Sequence, residues 1–297
     1  AADATVYVDA DDADKVQIVL DGATIVNDDA PAIYVRSADK VFVTTTSSEN
    51  ALSVTGSFVA DGDTNLDAVI FSRSDLVLNG TGTLTVTSTA NGISSKDGLK
   101  VTGGMLAIDC AGDGLEANDS VAVADGTITI ATQKDGIHAE YDDGTGYVYI
   151  TGGTISIQAA SDGIQGTELV QIDGGTLTIS AGEGIESTYV QINGGAIDIY
   201  ATDDGINASF KSGSTVPMLE INGGDVTVSM AQGDTDALDS NGYLSINGGT
   251  VDISAQSAFD FDYSAELTGG TVYVNGSEVT SITNSMMMGG GMGGPGR

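Results

Sequence analysis

Apolar and polar residues alternate along most of this chain in short runs, such as Thr176-Leu177-Thr178-Ile179 and Asp225-Val226-Thr227-Val228. A period of two predicts β-strands with one face buried. The pattern itself recurs about eight times: apolar strand, Asn/Thr/Asp-Gly-Gly turn, alternating strand, acidic-Gly turn, then Ile/Leu-x-Ala. It reads LKVTGGMLAIDCAGDGLEA (99–117), VYITGGTISIQAASDGIQG (148–166), LVQIDGGTLTISAGEGIES (169–187) and VQINGGAIDIYATDDGINA (190–208). Repeats of 20 to 29 residues signal a solenoid, because one repeat cannot bury its apolar face without neighbours.

Each repeat holds three short strands and no room for a helix. Propeller blades need four strands, and leucine-rich repeats need their own consensus. An all-β parallel β-helix remains, one coil per repeat, with coils about 4.8 Å apart. It is expected over 1–280, with less regular coils in 1–75 and regular repeats in 76–277. Residues 47–67 read as an excursion, 140–146 and 209–217 as insertions, and the Met/Gly-rich 281–297 as a flexible tail. The tail's methionines could take Cu(I), but a plain tail is the better reading. The Gly-Gly corners call for positive φ. Asn193, Asn222 and Asn247, with Thr151, Asp173 and Thr268 in the same column, are expected to stack and satisfy buried corner amides.

Aromatics are only 5 % and Trp is absent, so the core should be a thin stack of Ile, Leu and Val. A net charge of −33 argues against nucleic acid or an anionic membrane as partner. The lone cysteine, Cys110, reads as a small buried thiol. No apolar run is long enough for a membrane span. A start at Ala1-Ala2-Asp3 suits a processed chain, and a removed signal peptide is an expectation.

Aligned, the turns produce two acidic columns. The residue before the Gly or Ala runs Asn91, Asp113, Asp135, Asp162, Glu183, Asp204, Asp236, Ser257. Three positions later run Ser94, Glu116, His138, Gln165, Glu186, Asn207, Asp239, Asp260. Two like charges about 5 Å apart cost roughly 3 kcal/mol at an effective dielectric constant near 20, so something must offset the ladder. Hard oxygen ligands from successive coils suit Ca²⁺. One His and one Cys cannot build the usual zinc site. The candidate ligands are Asp113, Glu116, Asp135, Asp162, Glu183, Glu186, Asp204, Asn207, Asp236, Asp239 and Asp260. The competing reading is a solvated acidic edge, since Asp-Gly is a common turn signal.

The segments AIYVRSADKVFV, IFSRSDLVLNGTGTLTV and NGISSKDGLKVTGG, the DGI and INGGT units and the MMMGGGMGGPG tail together resemble one bacterial family. It comprises secreted, clostridial-type carbohydrate-binding proteins whose right-handed β-helix is similar to that of pectate lyases. The resemblance implies handedness, an extracellular or cell-surface location, calcium along the helix, and binding of the plant cell-wall polysaccharides cellulose and polygalacturonate. It implies no established catalysis.

The alternative is a calcium-dependent pectate lyase acting by β-elimination with a lysine base. Asp204, Asp236 and Asp239 resemble the calcium pocket of polysaccharide lyase family nine. A base needs a lowered pKa; Lys134 and Lys96 stand among acids and Lys211 sits in an insertion, so each reads better as a surface lysine relieving acidic repulsion. Tyr141, Tyr189, Phe210 and Tyr263 each lie three residues after the outer column and could form a glycan strip, with Lys134 as a further contact; corner packing is the competing reading. Outward Thr pairs such as Thr127/Thr129 do not hold a regular lattice, which disfavours an ice-binding surface.

Overall fold

A computed structural model describes residues 1–141, 144–213, 215–233 and 235–285 of the 297. The tail reading from Met286 onward, including the copper expectation, lies outside the described residues. Among the described residues all regular structure longer than one turn is strand, and the coils stack by parallel pairing. Three strand columns form a three-sided solenoid, as the alternation predicts. The first sheet carries Ile33, Ile70, Ile93, Leu115, Ile137, Ile164, Ile185, Ile206 and Leu238 in register. The second stacks Val121, Val148, Val170, Val190, Leu219 and Leu244. The third stacks Ile108, Ile130, Ile157, Ile179, Ile199, Val228 and Ile253. These side chains meet in one continuous buried core. Each coil contributes apolar surface to both neighbours, which is why the array stands only as a stack. Cys110 is buried, with its thiol near the Gly112 carbonyl.

The second glycine of each corner has positive φ, for example 99° at Gly175 and 100° at Gly195, a region costly for any side chain. The Asn ladder forms: Asn222 donates to Asn193 at 2.9 Å, and Asn247 donates to Asn222 at 2.9 Å. It is solvent-exposed rather than buried, because the corner turns the side chains away from the sheets. Exposed hydrogen bonds compete with water, so Asn222→Ala should cost no more than about 1 kcal/mol. A urea midpoint would reveal a larger role.

The predicted excursion 47–67 is shorter than expected. Glu49–Val54 is a regular strand of the third sheet, paired on both sides. The excursion spans 55–67 and covers Tyr34 and Phe71, outward-facing residues of the first sheet that are buried with Leu66 and Ala68. At the other end parallel stacking stops at Val274, and Ser277–Val279 returns antiparallel against Thr271–Val274.

Candidate cation and glycan site

Parallel register aligns the outer column on the first sheet as the spacing predicts. Ser94, Glu116, His138, Gln165, Glu186, Asn207 and Asp239 are successive partners. Toward the N-terminus the same column continues as Phe71 and Tyr34. The corner column is held in part by side chains: at four of its links one side-chain oxygen accepts the backbone N–H of the next residue in the column. Asn91 accepts from Asp113 at 2.8 Å, Asp113 from Asp135 at 3.1 Å, Asp135 from Asp162 at 3.0 Å and Asp204 from Asp236 at 3.1 Å. These acids are therefore structural through one oxygen, leaving the other for further partners. The following glycine brings coils close: a Cβ at Gly184 would lie 2.3 Å from the Gly205 carbonyl oxygen.

The N-terminal part of the column is faced by basic side chains. His138 Nδ1 lies 3.7 Å from both Asp113 and Asp135, and Nε2 lies 3.3 Å from Glu140. Burial disfavours the imidazolium, but Asp113 outweighs it and raises the His138 pKa. Burial likewise opposes ionisation of Asp113, but His138 outweighs it and holds that carboxyl below the usual range. Lys96 donates to Glu116 at 3.1 Å, and Asn91 donates to the other oxygen of Glu116 at 2.6 Å. Lys134 lies 3.9 Å from Asp113 with most of its side chain in solvent.

Farther along, positive charge runs short. Asp162, Glu183 and Glu186 bring carboxylate oxygens within 4.8 Å of one another. Lys211, from the 209–217 insertion, binds Glu186, which also accepts from Ser209 at 2.8 Å and Gln165 at 3.0 Å. Burial opposes ionisation of Glu186, but Lys211 outweighs it and holds the carboxyl low. Among the described residues Asp162, Glu183, Asp204 and Asp239 form no such ion pair. Burial, reinforced by Glu186, pushes Glu183 up to about 8. Burial and Asp135 push Asp162 up to about 7. Burial takes Asp204 to about 6, and burial with Asp204 and Asp260 takes Asp239 to about 7.

Asn207 stands among them, 8 % exposed. Its Nδ2 donates to Glu183 at 3.1 Å and reaches Asp204 at 3.4 Å. Its Oδ1 is buried and has no hydrogen-bond partner among the described residues. A half-turn of the amide would aim that oxygen at the carboxylates, an arrangement repulsive unless a cation lies between them. Orphaned carbonyl and under-compensated carboxylates make a hard-oxygen donor set that fits Ca²⁺. Asp236 accepts from Ser257. Asp260 accepts from Asn284 at 2.7 Å and so anchors the C-terminal segment.

The proposed aromatic strip does not align. Insertions change the residue count between sheets, so equal sequence offsets land in different places. Tyr141 lies in the 140–146 loop, donating its N–H to the Thr145 carbonyl at 2.8 Å. Phe210 is exposed on the 209–217 loop, and Tyr263 immediately precedes a strand. Tyr189 alone is in a strand of the second sheet, with Leu169 and Met218 as neighbours. Sequence reading places Lys211 as a lysine relieving acidic repulsion, and it does pair with Glu186; it missed His138 as a basic partner of the column, for which a single His inside an acidic column was the available signal.

A three-sided parallel β-solenoid with an acidic ladder defines the class of this protein. The family described as carbohydrate-binding domain-containing protein matches residues 1–237, and the chain belongs to it. A carbohydrate-binding domain-containing protein of Acetivibrio thermocellus is 35% identical over 110 residues, covering 36% of this chain and 38% of the relative. The chain thus spans well under half the length of that relative. A solved polysaccharide lyase-like protein from C. thermocellum, a gadolinium derivative, is similar with a TM-score of 0.56 and 32% identity over 67% of this chain and 78% of that one. Among the described residues no helix is long and apolar enough to cross a membrane.

Proposed function

We propose that this protein is an extracellular, non-catalytic, calcium-dependent binder of plant cell-wall polysaccharide, taking polygalacturonate and cellulose. The observation that carries the calcium reading is the buried Asn207 amide, whose Nδ2 meets Glu183 and Asp204 while its Oδ1 has no hydrogen-bond partner among the described residues. Glu183, Asp204, Asn207 and Asp239 would hold the ion, with Asp162 and Asp236 flanking them. When bound, Ca²⁺ neutralises the column and offers coordination positions to carboxylates of an acidic glycan. Such bridging is needed because a chain of net charge −33 repels a polyanion. The similar solved protein is a gadolinium derivative, and gadolinium is another hard, oxygen-seeking cation.

The lysines favour binding over β-elimination. Burial alone would lower the pKa of Lys211, but Glu186 outweighs it and raises that pKa, the opposite of what a base requires. Lys96 and Lys134 are likewise placed beside Glu116 and Asp113. The deciding experiment is polygalacturonate pull-down with calcium and with chelator, followed alongside ultraviolet absorbance of unsaturated products. Calcium-dependent retention without growing absorbance is the expected result. Growing absorbance would make the protein a lyase; retention indifferent to calcium would remove the ion from the mechanism.

A further inference from the structure

The second sheet carries an outward column that the corner motifs do not reveal. Its successive register partners are Tyr147, Leu169, Tyr189, Met218 and Tyr243. Tyrosines therefore recur on every second coil, with aliphatic side chains between. Tyr243 is 44 % exposed and braced edge-on by Tyr263 at 5.3 Å. Tyr147 has Tyr149 beside it, the ring centroids 6.2 Å apart and nearly parallel. Two residues along each strand runs a polar column of Gln171, Gln191, Glu220 and Ser245. Glu220 is the one charge in these two columns between Tyr147 and Ser245, and it accepts from the Tyr189 hydroxyl and from Gln191. Beyond Tyr147 the aromatic column drops to Ser120 and Gly98. There a 170 Å³ depression opens on the same face, between Lys40 and Lys100.

We propose that this face binds a neutral, extended β-1,4-linked glucan chain lying parallel to the solenoid axis. The inference rests on the carbohydrate-binding reading above and assigns it a surface and a direction. Spacing is the first argument. Coils stack about 4.8 Å apart, so alternate tyrosines are about 9.6 Å apart, while a β-1,4 glucan repeats its orientation every two sugars, about 10 Å. Successive tyrosines then meet equivalent sugar faces. Charge is the second argument: on a chain of net charge −33 this nearly neutral strip accepts an uncharged ligand without cation bridging. Chemistry is the third, since aromatic rings cover the apolar sugar faces while amides and hydroxyls reach the equatorial hydroxyl groups. An α-linked polyuronate has neither that repeat nor that neutrality.

The test is cellohexaose titration of the whole chain by calorimetry, run in calcium, with polygalacturonate pull-down on the same samples. Tyr243→Ala and Tyr147→Ala should each weaken cellohexaose binding about tenfold, and Tyr243→Phe should stay near wild type because the ring remains. Polygalacturonate retention should be unchanged in all three. Thermal midpoints within about 3 °C of wild type would establish that the variants fold. If wild type binds cellohexaose and both alanine variants bind equally well, this surface is wrong while the carbohydrate-binding reading stands. If wild type retains polygalacturonate but ignores cellohexaose, the neutral-chain assignment fails alone. If it retains neither glycan, both readings fail together.

Discussion

Stripped of divalent cations, this protein should lose stability steeply as pH rises from about 5 to about 8.5. The folded state raises Glu183 to about 8, Asp162 and Asp239 to about 7, and Asp204 to about 6. In the unfolded chain the same carboxyls titrate near 4. Between those values the folded state binds more protons than the unfolded one, so stability falls as pH rises. Below the unfolded pKa both states are protonated and the penalty vanishes; above about 8 it is complete. A tenfold change in proton affinity between the two states corresponds to about 1.4 kcal/mol. The four groups share one field and do not add fully, so the total is on the order of several kcal/mol. A thermal midpoint lower by about 10 °C or more is expected at the alkaline end. Calcium that binds only the folded state should flatten the profile. The measurement is a set of thermal scans on dialysed protein across this window, with and without millimolar calcium. A metal-free midpoint that held level or climbed with pH would contradict the assignment of these groups.

The second large effect is expected from Gly184→Ala. An added Cβ would lie 2.3 Å from the Gly205 carbonyl oxygen and 2.5 Å from Ile199 Cγ2. That carbonyl accepts the Ile185 N–H at 3.2 Å, so it cannot move without breaking a bond between coils. The methyl group would act as a wedge beneath the acidic column. A loss of about 3 kcal/mol or more follows, and in a stacked array the defect weakens the interface on which both neighbouring coils depend. Gly213→Ala is the control, since nothing lies within 4 Å of its added Cβ; it should change stability by less than about 0.5 kcal/mol. Equal urea midpoints for the two variants would show that coil spacing yields more readily than described.

The same column explains why residues of one chemical type behave differently. Asp113 is held low against the effect of burial because His138 and Lys134 face it. Burial prevails at Asp162 and Glu183, because the nearest lysine, Lys211, is committed to Glu186. Sequence position makes these acids equivalent. Their ionisation depends on which cation another segment supplies, and the 209–217 insertion supplies only one lysine.

Sequence by itself determined the period, the strands, the corners and both acidic columns. Parallel stacking maps each repeat onto the next through short-range rules, alternation for facing and glycine for corners, so equal offsets become equal positions. That mapping survives only while coils have equal length. Where 55–67, 140–146 and 209–217 intervene, offsets cease to correspond, and tertiary structure alone decided the rest. It put Lys211 on Glu186, left Asn207 Oδ1 without a partner among the described residues, closed residues 55–67 over Phe71, and aligned Tyr147 with Tyr189 and Tyr243. Each depends on where a loop of particular length returns to the stack, and no local rule encodes that distance.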